Sequence, residues 1–334
     1  MSTYIRIICV TFLFLGSSLF ACTSNENHRT SESQSGNESE SGDFTFVFMT
    51  DIHLQPHVRY AHLPQTYEYS PLKAFSMAID TANQLGADFA MMGGDMVFDV
   101  MRGQAHSDSL FQLYQYAIRD FNMPVYHVIG NHELYGIYEE SPVSRDHPDF
   151  KFGMYERYFG DANYSFDHKG WHFIALNSVD EQNQRYIRTI HEEQIIWLEE
   201  HLTKIDRDTP IVITTHIPFI SVYNQIYPRD RRNPAPYPGV DNRNDILDLF
   251  ENHNLKLVLQ GHIHWVEDIY IHETDTRFIT GGSIAGRPSW RGFRHGPPGF
   301  LLITIKDDET ISWDFIDYGW MEVIGKPAGW ESPR

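Results

Sequence analysis

Asp51-x-His53, Gly94-Asp95, Gly130-Asn131-His132-Glu133, a lone His216 and Gly261-His262-x-His264 place carboxylates, imidazoles and one amide in five short stretches. Every ligand atom they offer is nitrogen or oxygen, which suits Zn, Mn, Fe, Co or Ni. Asp51, His53, Asp95, Asn131, His216, His262 and His264 are too many for one ion. With one carboxylate shared, they suit two divalent ions of five or six coordination that also hold water. Two such ions about 3.5–4 Å apart clamp the attacking and leaving oxygens of an in-line displacement at phosphorus.

Each stretch follows an apolar run with strand character: 44–50, 88–92, the residues after Pro124, 211–215 and 255–259. In open α/β sheets, ligands bind outside the carboxyl ends of the strands, so a parallel sheet would gather these loops at one edge. Helices are expected between the strands. Ser70-Pro71 opens one, Leu72, Phe75, Ile79 and Ala82 recur at helical spacing, and Gly86 closes it. Leu110, Leu113, Ala117, Ile118 and Phe121 mark a second, Ile195, Leu198, Leu202 and Ile205 a third, and Ile246, Leu249 and Phe250 a fourth. Residues 163–166 and 171–176 read as paired strands around a turn at 168–170, and 134–149 as irregular. Residues 227–240, with four prolines and three arginines, read as an insertion or lid. Beyond 264 the helical pattern stops, and 269–271, 277–280, 300–305 and 311–315 read as strands of a second sheet packed on the first.

The five motifs, in this order, resemble the calcineurin-like metallophosphoesterases. The resemblance covers roughly 44–315 and implies an α/β fold: a two-sheet β-sandwich flanked by helices in four αββα layers. It implies that Asp51, His53 and His264 hold one ion, that Asn131, His216 and His262 hold the other, and that Asp95 bridges both. His132 then protonates the leaving oxygen or orients the phosphate, and Glu133 orients His132. An imidazole of unperturbed pKa ~6.5 can make that donation near neutrality. The nucleophile implied is a metal-bound hydroxide, and the substrate a small phosphodiester or a phosphomonoester. Purple acid phosphatases use a Tyr ligand after the Gly-Asp and lack the first His. Here His53 is present and Phe98 stands at the Tyr position, which argues against a Tyr-ligated ferric site. Gly281-Gly282-Ser283, Trp290-Arg291-Gly292 and 296–300 are similar to the C-terminal part of secreted members.

A net charge of −19 argues against nucleic acid as a partner, since such proteins carry basic faces. Arg287, Trp290, Arg291 and Arg294 form a basic, aromatic stretch in this acidic chain. It reads either as substrate recognition, with Arg forks to phosphate and Trp stacking, or as a solvated loop with ordinary salt bridges. Arg229, Arg231 and Arg232 read the same two ways.

Residues 1–21 read as a signal peptide, with Arg6 ahead of an apolar run that is too short to span a membrane comfortably. The run ends Leu19-Phe20-Ala21-Cys22, which resembles a bacterial lipobox and implies lipidation of Cys22. Residues 22–43, rich in Ser, Glu, Asn and Gly, cannot bury enough surface to fold and read as a tether. A catalytic body at 44–320 and a tail at 321–334 follow. This predicts an extracytoplasmic enzyme touching the membrane only through its lipid anchor. The two cysteines are Cys9 and Cys22, so the body has no disulfide and no thiolate chemistry.

Overall fold

Side-chain parity along buried strands decides the layers of this protein. The computed structural model describes residues 42–55, 70–98, 103–226, 239–285 and 297–320. In β1 (Phe44–Met49), Phe44, Phe46 and Phe48 enter one apolar cluster, while Val47 and Met49 enter another. The second cluster also holds Ala74, Phe75, Ala78, Ile79 and Ala82 of α1 (Pro71–Leu85). That helix begins as its residues dictate. Ser70 Oγ accepts from the Lys73 amide, Pro71 takes a position that needs no donor, and Gly86 ends it at φ 68°.

Further along come β2 (Phe89–Met92), α2 (Gln104–Ala117), β3 (Val125–His127) and α3 (Gly153–Phe159). Then follow β4 (Tyr164–His168) and β5 (Trp171–Leu176), a hairpin that turns through Lys169 and Gly170 at positive φ. A small hairpin of β6 (Asp180–Gln182) and β7 (Arg185–Ile187) comes next, then α4 (Glu192–Leu202) and β8 (Ile211–Thr215). The one-turn α5 (Tyr223–Ile226), α6 (Arg243–Leu249) and β9 (Leu255–Gln260) lead to β10 (Glu267–Ile271), β11 (Thr276–Thr280), β12 (Phe300–Ile305) and β13 (Ile311–Ile316). Among the described residues no helix is long and apolar enough to cross a membrane.

The strands form sheets of order β13-β12-β1-β2-β3 and β10-β11-β9-β8-β5-β4. Phe46, Phe48, Phe89 and Met91 of the first face Phe173, Val212, Leu257 and Leu259 of the second within one cluster. Phe46 stacks on Phe89 at 4.7 Å and meets Phe173 edge-on at 5.7 Å. The opposite parity, Ala90 and Met92 or Ile174, Ile211, Ile213 and Val258, joins the outer cluster with the helices. The result is the helix-flanked two-sheet sandwich that the sequence predicts.

One expectation is corrected. The ligand-bearing strands do not share a single parallel sheet: β1, β2 and β3 lie in the first, β8 and β9 in the second. Nor do the last four strands form a sheet of their own. β11 pairs parallel with β9, whereas β12 returns antiparallel to β1, from Phe44↔Ile305 to Phe48↔Leu301. β1 has one edge taken by β2, and an uncovered edge on a buried strand would leave its amides and carbonyls unpaired. Apolar pattern marks a strand but carries no information about which edge it must cover. The β6–β7 hairpin was not expected either, because 180–187 is mostly polar.

Candidate metal centre

The carboxyl ends of both sheets open onto the same place. Asp51 and His53 follow β1, Asp95 follows β2, Asn131 and His132 follow β3, His216 follows β8, and His262 and His264 follow β9. Backbone hydrogen bonds stitch these loops together: Asp51 N to Gly94 O at 3.0 Å, His53 N to Asp95 O at 2.8 Å, and Gly261 N to His216 O at 2.9 Å. Just past β11, Ser283 crosses to the other sheet, bridging to Thr50 and donating its Oγ–H to Asp51 O at 2.7 Å.

Two glycines let the loops close up. A Cβ on Gly130 would stand 2.3 Å from Asp95 N and from Asp95 Oδ1, and one on Gly261 would stand 2.2 Å from Thr50 Oγ1. Asp51, His53, Asp95, His262 and His264 all adopt positive φ, between 50° and 69°. Backbone strain of this kind persists where surrounding structure over-determines it, as at functional sites. Gly130→Ala is expected to push the Asp95 loop away, lowering stability by about 1–3 kcal/mol and cutting metal uptake. Thermal unfolding with metal analysis checks this, and an unchanged ion count would contradict it.

Three groups of side chains converge: Asp51, His53 and His264; His53, Asp95 and His132; Asp95, His216 and His262. Asp95 Oδ2 lies 3.2 Å from His216 Nε2 and 3.8 Å from His53 Nε2, the position of a bridging oxygen. His53 Nε2 and His264 Nε2 are 3.0 Å apart, and His264 Nε2 is 3.0 Å from Asp51 Oδ1. Asn131 Oδ1 lies 3.3 Å from His216 Nε2. All seven sequence-predicted ligands are therefore brought together.

Remaining atoms of Asp51 and His216 are held by neighbouring groups. Asp51 Oδ2 accepts from Thr50 Oγ at 2.7 Å and from His262 N at 2.9 Å, while buried Asp51 Oδ1 takes no hydrogen bond. His216 Nδ1 donates to Gly93 O at 2.8 Å, which turns its Nε2 toward Asp95 and Asn131. Outer-shell bonds of this kind orient metal ligands. The donor set, three oxygen-bearing side chains and four imidazoles with Asp95 at their centre, fits two borderline divalent ions.

Charge follows the same geometry. Burial would raise the Asp95 carboxyl, yet His216 and His132 hold it well below the usual range. Burial would lower His216, but Asp95 outweighs it and holds the imidazolium up to about 9. Burial and then the His216 charge push His262 down to about 3, so its ring is neutral and ready to ligate.

His132 and His264 are the more open of these histidines. Their side chains are 17% and 14% exposed, whereas those of His53 and His216 are sealed at 1% and 0%. The His132 amide donates to Asp95 Oδ1 at 2.9 Å, and its ring packs on Phe98 at 4.7 Å. Glu133, expected to orient His132, sends its hydrogen bonds elsewhere. Its carboxylate accepts from the amides of Asp95 at 2.9 Å, Val97 at 3.0 Å and Gly130 at 2.8 Å. It therefore positions the loops under Asp95 and reaches His132 through them. Burial and the Asp95 charge push its carboxyl up to about 8.

Gln260 was not singled out by sequence. Its Oε1 accepts from Phe219 N at 2.7 Å and its Nε2 donates to Ile220 O at 2.8 Å, tying the His216 loop to β9. Only its place directly before Gly261-His262 hinted at a role. Arg287, Trp290, Arg291 and Arg294, the arginines at 229–232, and Cys22 lie outside the described residues. Among the other described histidines, His172 Nδ1 bonds Asp167, and His127 packs against Phe159 at 4.6 Å with its Nε2 buried and without a hydrogen bond.

A family model described as calcineurin-like phosphoesterase matches residues 44–266. Two solved structures share the fold. A dimetal phosphatase from Danio rerio superposes at TM-score 0.54 with 16% identity, over 81% of this chain and 95% of that one. A purple acid phosphatase from yellow lupin (Lupinus luteus) seeds gives 0.53 and 15% over 88% of this chain, which spans 58% of the lupin protein. No curated protein matches the sequence significantly.

Proposed function

The chain belongs to the calcineurin-like phosphoesterase family, and we propose that it is a dinuclear-metal phosphodiesterase acting on a small substrate. The observation that carries the reading is the pair of ligand groups, Asp51–His53–His264 and Asp95–His216–His262, that approach each other through Asp95 Oδ2. Two divalent ions of the Mn, Fe, Zn, Co or Ni class, held there, supply a water of lowered pKa and neutralise phosphate charge. Asn131 completes the second group. His132, alone of the site histidines in being neither sealed nor needed as a ligand, hands a proton to the departing alkoxide. Glu133 and Gln260 keep the loops in register, which is what holds reacting groups in an attack geometry. A net charge of −19 favours the singly charged diester over the doubly charged monoester.

The test is hydrolysis of bis(p-nitrophenyl) phosphate and p-nitrophenyl phosphate by the body from Gly42 to Arg334, with Mn or Zn and after chelation. Metal-dependent diester turnover is expected. Monoester turnover alone makes the protein a phosphatase, and no metal-dependent turnover leaves a binding protein. The proposal extends to location: an extracytoplasmic enzyme tethered by a lipidated Cys22. Cys22→Ser is then expected to move the protein from the membrane to the soluble fraction, and retention in the membrane would overturn the anchor.

A further inference from the structure

A cavity of about 500 Å³ lies between the β6–β7 hairpin and the loop that follows β3. Tyr186 joins it to the metal centre, since this lining residue meets the His262 ring at 6.1 Å. Tyr138 also lines the cavity, and burial, then the neighbouring Tyr186 and Asp95, push its phenol up to about 12, keeping it a hydrogen-bond donor at any working pH. The walls are pinned. Arg145 pairs with Glu181, Lys151 pairs with Asp180, and the hairpin turns tightly through Asn183 and Gln184 at φ 54° and 62°. A preformed cavity of this size suits a drug-sized group.

Its charges say which group. Arg188 is paired with Asp241 at 3.4 Å, which leaves Arg185, Glu139 and Glu140 as the other charged groups of the lining. A second phosphate would meet those two carboxylates, and an acyl chain would strand polar walls without partners. A flat, neutral, hydroxyl-bearing ring system fits: tyrosines to stack on a base, a guanidinium for a base carbonyl, carboxylates for sugar hydroxyls.

We propose that the cavity holds the nucleoside of a nucleoside phosphodiester while its phosphate sits at the metal centre, with Tyr138, Tyr186 and Arg185 recognising the nucleoside. The inference rests on the phosphodiesterase reading and names its substrate class.

Two esters with one leaving group test it: the p-nitrophenyl ester of thymidine 5′-monophosphate and methyl p-nitrophenyl phosphate. Stacking on one aromatic side chain changes binding by roughly five- to 150-fold. The nucleoside ester is expected to have a kcat/KM about 100-fold above the methyl ester, mostly through KM. Arg185→Ala and Tyr186→Ala should each shrink that ratio about tenfold. A ratio near one, equal losses on both esters, or better turnover of an octyl or a 5′-diphosphate-linked ester would overturn the assignment. Metal-dependent release of p-nitrophenolate from the methyl ester stands apart as the check on the phosphodiesterase reading, so the two failures are distinguishable.

Discussion

Asp95→Asn is expected to reduce kcat/KM for bis(p-nitrophenyl) phosphate by about 10³-fold and to release about one ion per chain. The carboxylate is one of two, with Asp51, that would balance the positive charge of two ions, and its Oδ2 is the atom between His216 and His53. An amide keeps the shape and removes the charge. Charge stabilisation by a bound metal is worth several kcal/mol, and about 4 kcal/mol corresponds to that loss of rate. The substitution also has a pH signature. In the metal-free protein His216 carries a proton up to about pH 9 because of Asp95. A metal must displace that proton, so below about 9 affinity rises with pH, by up to about tenfold per unit, and flattens above it. In Asp95→Asn the largest upward influence on His216 is lost and only Asp51 and the Gly93 carbonyl still oppose burial, so the imidazole gives up its proton at lower pH and the slope between pH 6 and 9 flattens. Metal titrations at three pH values read this directly. Two ions retained with near-normal turnover would show that Asp95 does not bridge.

His132→Ala is expected to leave two ions bound and to cost about 10²–10⁴ in kcat on an alkyl ester, the usual worth of a positioned proton donor. The site shows why this histidine is separable from the ligands. Its side chain is 17% exposed, and its backbone amide bonds Asp95 Oδ1, a contact that the alanine keeps. The loss should depend on the leaving group. A p-nitrophenolate departs without a proton, so the variant should be nearly as fast as the native protein on p-nitrophenyl esters and crippled on methyl or nucleoside leaving groups. Equal losses on both kinds of ester would make His132 a phosphate-orienting group. A lost ion would make it a ligand, as its place beside His53 and Asp95 also permits.

Much of this site was legible because each ligand ends an apolar run. Burial of β1, β2, β8 and β9 favours largely apolar runs, so a polar Asp51, Asp95, His216 or His262 just past them stands out. Helix limits were legible too, since Ser70, Pro71 and Gly86 act within one turn of chain. Glu133 shows where local reading stops. Its neighbour in sequence is His132, but its carboxylate bonds the amides of Asp95 and Val97, more than thirty residues away. Tyr186 and Arg185 sit in a polar segment that no periodicity marks, yet the hairpin they form closes a cavity against the centre.

The sequence by itself determined the ligand types, their order and the strand each one follows, because backbone breaks and apolar runs are local properties. Only the tertiary structure decided that these strands belong to two sheets, that Ser283 and His262 stitch their edges together through Asp51, and that Asp95 lies between the two ligand groups. Which edge a strand covers depends on what the rest of the chain has left bare, and no single stretch carries that information.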